Sequence, residues 1–240
     1  MLRTVRPFSA AADATAGRAD VFTRWGHTKC PSGTDFLYSG YMVGGSFEHS
    51  GGGHNYLCLH PEPEHPIGNL GTNKDGALLY GTEYQNSGNS GVDQNLDRDA
   101  ACTVCQLQAP GTTYVQWGRS TSCSSDHQTL YTGLVMAEKH NHKSKAEWVC
   151  VDRAREPYQG DSTSSENGAL LYVAEARGGS MDEFLYPHGR EVGCSVCAAP
   201  ASIFTRWGAR ACPSGTTTVF GGGIMAGAHY QHSGGQCPRC

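Results

Sequence analysis

Eleven cysteines in 240 residues, eight of them in two sets with matching spacing, constrain this chain more than any other feature. Cys30 is followed 28 positions on by Cys58, Cys123 27 positions on by Cys150, and Cys212 28 positions on by Cys240. Cys102-Thr103-Val104-Cys105 begins 44 positions beyond Cys58, and Cys194-Ser195-Val196-Cys197 begins 44 beyond Cys150. Other signatures keep step with the cysteines. Phe22-Thr23-Arg24-Trp25-Gly26, Val115-Gln116-Trp117-Gly118 and Phe204-Thr205-Arg206-Trp207-Gly208 each precede a first cysteine, and Gly76-Ala77-Leu78-Leu79-Tyr80 matches Gly168-Ala169-Leu170-Leu171-Tyr172. A fixed period of roughly 90 residues marks one folding unit copied in tandem. The expected organisation is a leader or disordered segment over 1–20, a first repeat subdomain over 21–111, a second over 112–200, and a truncated third repeat over 201–240.

Short runs of aromatic and β-branched residues, such as Tyr114 to Trp117 and Glu147 to Val151, are bounded by Gly, Pro, Ser and Asn. That punctuation reads as strands and tight turns, with turns at Gly51 to Gly53, Asn73 to Gly76 and Glu166 to Gly168, so the expected class is all-β. Only Glu138 to Trp148 carries a pattern arguable as helix. In a strand, residues three apart point to opposite faces, so Cys102 and Cys105 should reach different partners, as should Cys194 and Cys197. Of the three pairings four cysteines allow, two remain open. A bridge closing a loop of about 70 residues stabilises by about 4 kcal/mol in the chain-entropy model. A four-cysteine zinc site built from the two Cys-x-x-Cys pairs would leave Cys30, Cys58, Cys123 and Cys150 unexplained. Disulfides point to an extracellular, secreted protein, although residues 1–20 contain no apolar run of signal-peptide length.

The formal net charge of -4, with only 18 Lys+Arg, lacks the basic footprint of a nucleic-acid binder or an anionic-membrane binder. No stretch has the length and apolarity of a membrane span, so no insertion is expected. Nucleophile elbows, phosphate loops, dinucleotide fingerprints and HExxH motifs are absent, and neither enzymatic activity nor a cofactor is expected.

The segments Phe22 to Gly26, Cys30-Pro31-Ser32-Gly33, His49-Ser50-Gly51-Gly52-Gly53, Asn55 to Leu59 and Asp75 to Tyr80 together resemble the noncollagenous C-terminal domain of invertebrate short-chain, spongin-type collagens. That domain is similar in turn to the duplicated noncollagenous domain of type IV collagen. The resemblance spans about Val21 to Pro200 and resumes at Ile203. It implies two homologous disulfide-stapled β subdomains, an extracellular location, and nested bridges: Cys30 to Cys105 with Cys58 to Cys102, and Cys123 to Cys197 with Cys150 to Cys194. It also implies a role in chain assembly by trimerisation and exchange of β-hairpins. The chain departs from collagens in having no Gly-X-Y tract. It also lacks the further short-range cysteine pair that each type IV unit carries.

Three groups of residues are candidate sites. Cys212, Cys237 and Cys240 lack the closing pair of their unit and make the cysteine total odd, so a free or interchain thiol is expected. Trp25, Trp117 and Trp207 recur with Arg24, Arg119 and Arg206 nearby, and aromatic faces beside polar forks suit a glycan, although a Trp at a fixed repeat position ordinarily anchors a core. His49, His142 and His232 share one repeat position, for which packing against strand neighbours and a loop hydrogen bond is the favoured reading; the alternative is a metal site, since in a strand His140 and His142 would present two imidazoles to one metal beside Glu138. Met42, Met136 and Met225 read as core filling, and Asp152, Glu156 and Asp161 as solvated surface. The functional expectation is a structural or adhesive extracellular module whose partners are copies of itself or other matrix proteins. A lectin-like or metal-binding recognition protein is the alternative.

Overall fold

The computed structural model describes residues 18–64, 76–85, 95–124, 127–158, 165–177, 182–209 and 211–221. Among them there are ten strands and no helix: β1 (Val21–Trp25), β2 (Thr34–Gly44), β3 (Leu57–Leu59), β4 (Tyr80–Tyr84), β5 (Ala101–Leu107), β6 (Thr112–Trp117), β7 (Gln128–Ala137), β8 (Val149–Asp152), β9 (Ala169–Val173) and β10 (Gly193–Ala199). Glu138 to Trp148, arguable as helix from its pattern, is instead a turn and coil leading into β8. Both ends of that segment are fixed by the strands β7 and β8, whose pairing overrides a weak local preference.

Seven strands form a closed ring in the order β7, β8, β1, β5, β2, β4, β9, and β9 returns to β7 through Met136↔Val173 and Ala137↔Tyr172. Closure removes the open sheet edges that the seven strands would otherwise present. β10 pairs with β7, β6 with β10, and β3 with β2, all outside the ring. The first five strands and the last five have the same internal order: β1–β5–β2–β3 corresponds to β6–β10–β7–β8. Two parallel pairings join the two sets, β1 with β8 at Trp25↔Val151 and β4 with β9 at Thr82↔Ala169 to Tyr84↔Leu171.

Alternation along the strands divides the buried residues between two faces. Met42, Tyr84, Cys102, Met136, Val149, Val151 and Leu171 belong to one cluster, drawn from six of the seven ring strands. Phe22, Cys105, Val135, Cys150, Cys194 and Val196 belong to a second, where β10 covers the opposite face. Cys102 and Cys105 therefore sit in different clusters and bond different partners, as residues three apart in a strand must. The disulfides are Cys30–Cys105, Cys58–Cys102, Cys123–Cys197 and Cys150–Cys194, with sequence separations of 75, 44, 74 and 44. These are the nested pairs that the family resemblance implies. Met42 and Met136 are both fully buried; Met225 lies outside the described residues.

Two glycines permit neighbouring strands to approach. A Cβ at Gly40 would overlap the Leu59 carbonyl oxygen, and one at Gly133 would overlap that of Val151. Both stand ten positions after the first cysteine of their set, and only the absence of a side chain lets β3 lie on β2 and β8 on β7 at these points.

Candidate functional site

The chemistry-bearing side chains concentrate where the two sets of five strands meet. At the β1–β8 junction, Arg24 donates from Nε to Asp152 Oδ2 at 2.7 Å and from one terminal nitrogen to the same oxygen at 2.6 Å. Its other terminal nitrogen donates to the Lys29 carbonyl, and the guanidinium lies 5.6 Å from the Tyr131 ring centre. Glu156 accepts from the Thr28 backbone N–H and hydroxyl, and its own N–H donates to the Gly26 carbonyl. Asp152 and Glu156 are thus structural members of the junction rather than solvated surface. Asp161 lies outside the described residues. The Tyr131 hydroxyl donates to the Cys150 carbonyl at 3.1 Å.

At the β4–β9 junction, Glu83 is buried and accepts the Glu166 and Asn167 backbone N–H groups, each at 2.8 Å. Glu138 plays a similar part, accepting the Leu170 N–H at 2.7 Å through one oxygen and holding His142 Nδ1 at 2.6 Å with the other. Phe47 from the first set of strands packs on the His142 ring, and its carbonyl accepts the Lys143 N–H.

Burial pushes the Glu83 and Glu138 carboxyls above their ordinary range. Glu156 moves the other way: partial burial raises it, but the two hydrogen bonds from Thr28 and the neighbouring His27 outweigh that and hold it low. A raised carboxyl favours the fold below its unfolded pKa, and that contribution is lost as pH climbs through the folded pKa; a depressed one contributes above the unfolded pKa and is lost on acidification. Glu83→Gln should therefore shrink the stability loss as pH rises above about 4, and Glu156→Gln should shrink the loss below about pH 4. Denaturant melts of both variants on either side of that pH check this, and parallel curves for variant and parent would refute it.

The histidines expected to share a strand face lie in the turn after β7. His142 is taken up by Glu138, Phe47 and Tyr172, while the exposed His140 offers its carbonyl to Lys145 Nζ. His49 lies edge-on to Tyr80 at 5.5 Å in an open groove of about 450 Å3, which matches His142 on Tyr172 at 5.5 Å. His232 falls outside the described residues. Among the described residues, the one group of three metal-type ligands lying close together is Glu83, Asp99 and Glu166, and it contains no histidine. Two of its members, Glu83 and Glu166, meet through the hydrogen bond from the Glu166 N–H to Glu83.

Of the three repeated tryptophans, Trp25 and Trp117 share one groove of about 270 Å3 between β1 and β6, with Tyr114, Tyr131 and Trp148. The repeat pattern did not single out Trp148, which stands immediately before β8 and is half-exposed. Trp207 is separate and exposed, and Cys212 is a partly buried free thiol. Cys237 and Cys240 lie outside the described residues.

No helix among the described residues is long and apolar enough to cross a membrane. No known family model matches the chain.

Proposed function

We propose that this protein is an extracellular structural module that assembles with other protein chains, built from two like units and akin to the noncollagenous domains of spongin-type and type IV collagens. The observation that carries this reading is an imbalance in the pairing of like strands. The outer edge of β8 is closed by β1 at Trp25↔Val151, whereas its counterpart β3 pairs only with β2 among the described strands, and β6, the counterpart of β1, pairs only with β10. The residues on those two edges are correspondingly bare: Leu57 is 43% exposed, Leu59 38% and Trp117 44%, while β8 is buried throughout. Unpaired edges of this kind are templates for another chain. Four disulfides support an oxidising compartment. Light scattering over a concentration series of the oxidised chain should give species larger than a monomer, and a monomer at every concentration would end the assembly reading.

Glycan recognition is the second reading, favoured by the groove that brings Trp25, Trp117 and Trp148 together. Flat aromatic faces stack on the apolar side of a sugar ring, and the Glu147 carboxylate at the rim would accept its hydroxyls. Glycan-array binding that disappears in Trp148→Ala, with an unchanged melting temperature, would support it. Absence of binding to any glycan would remove it.

A further inference from the structure

Phe204-Thr205-Arg206-Trp207-Gly208 repeats the sequence Phe22-Thr23-Arg24-Trp25-Gly26, and the two copies behave alike up to the point of strand pairing. Gly208 and Gly26 both take positive φ, 73° and 84°. Arg206 donates to the carbonyl five residues on, Ala211, at 2.8 Å, as Arg24 does to Lys29 at 2.7 Å. The Thr216 hydroxyl donates to the Pro213 carbonyl at 2.7 Å, as Thr34 does to Pro31 at 2.6 Å. The local conformation of the β1 corner is therefore set by its own residues. What differs is the neighbourhood: β1 lies between β5 and β8, whereas no described strand pairs with 203–207, and Phe204 and Trp207 are 56% and 59% exposed.

The only described strand that offers the vacant counterpart of the β8 edge is β3. β3 and β8 are each centred on a cysteine bonded 44 positions on, to Cys102 and Cys194 respectively. In β8 the Cys150 carbonyl accepts the Tyr131 hydroxyl at 3.1 Å, beside Trp25, and in β3 the Cys58 carbonyl already accepts the Tyr38 hydroxyl at 3.0 Å. Charge agrees as well. Arg24 has Asp152 for its guanidinium, whereas among the described residues Arg206 makes only the Ala211 bond; just past β3 the position of Asp152 is taken by His60, and two and four residues beyond it stand Glu62 and Glu64, exposed and with no ion-pair partner among the described residues.

We propose that the segment Ile203–Trp207 adds in parallel to the β3 edge of a second copy of this chain, in the register Trp207↔Leu59, with Arg206 facing the Glu62–Glu64 acids. This rests on the assembly reading and names its partners. The Trp207 N–H would donate to the Cys58 carbonyl, and the His60 N–H to the Trp207 carbonyl, the pattern of a parallel pair. Donor and acceptor are different patches, so the contact is head-to-tail and builds rings or filaments.

Two variants separate the partners. Trp207→Pro removes the donor N–H and leaves β3 intact, and His60→Pro removes an acceptor-edge N–H just beyond β3 and leaves the donor intact. Each alone should be monomeric by light scattering at concentrations where the parent is not, and an equimolar mixture should give a heterodimer that grows no further. Self-association of either variant, or a mixture that stays monomeric, overturns the proposal. If the parent associates and Trp117→Pro in β6 abolishes this while Trp207→Pro does not, β6 is the donor: the assembly reading survives and this inference fails. A parent that is monomeric throughout removes both.

Discussion

Replacing Cys150 and Cys194 together by Ala should lower the unfolding free energy by about 4 kcal/mol, the chain-entropy value for a loop of this length. The bridge closes 44 residues, and both sulfurs are buried in the second apolar cluster. Loss of the cross-link enlarges the unfolded ensemble, and the two smaller side chains also leave a void between β8 and β10. The longer Cys30–Cys105 and Cys123–Cys197 loops, 75 and 74 residues, raise the expected loss only slightly, because the entropy depends on the logarithm of loop length. Denaturant melts under non-reducing conditions measure the difference. A loss below about 1 kcal/mol would mean that the unfolded chain is already held compact by other means.

The second large effect belongs to Arg24. Its side chain and that of Asp152 are 12% and 5% exposed, so Arg24→Ala strands a buried carboxylate at the β1–β8 junction. The expected cost is about 3 kcal/mol or more. The double variant Arg24→Met, Asp152→Leu should recover most of that loss, because it removes the charge that was left unpaired. Equal stabilities for the single and double variants would show that water reaches Asp152 once the guanidinium is gone. Asp152 also accepts the Ala154 N–H, which would then be left with no carboxylate, so some cost remains in the double variant.

The strand class, the approximate strand positions and the separate partners of Cys102 and Cys105 were legible in the sequence because they rest on local rules: β-type composition, turn residues and the two-residue alternation of a strand. The residues that join the two sets of strands were not. Asp152 and Glu156 read as surface acids, since nothing in their spacing reveals that Arg24 and Thr28, each 128 positions away, will meet them. His142 was a candidate metal ligand, with packing the favoured reading, on a strand that in fact ends at Ala137, and its partner Glu138 was placed in the same candidate ligand set. Trp148 escaped notice because its counterpart before Leu57-Cys58-Leu59 is Tyr56, which is buried, so the shared aromatic position reads as core although only Tyr56 fills it. Long-range pairing decides these roles, and sequence spacing reports only on what is near along the chain or copied along it.

Among the described residues, the four covalent bridges close loops inside one set of five strands or the other, and none crosses the turn between Leu107 and Thr112. A protease nick in that turn would therefore yield two fragments with their own cystines intact, still clasped through the shared ring. Denaturant alone, with no reductant, would part them, and dilution would let the matched fragments find each other again.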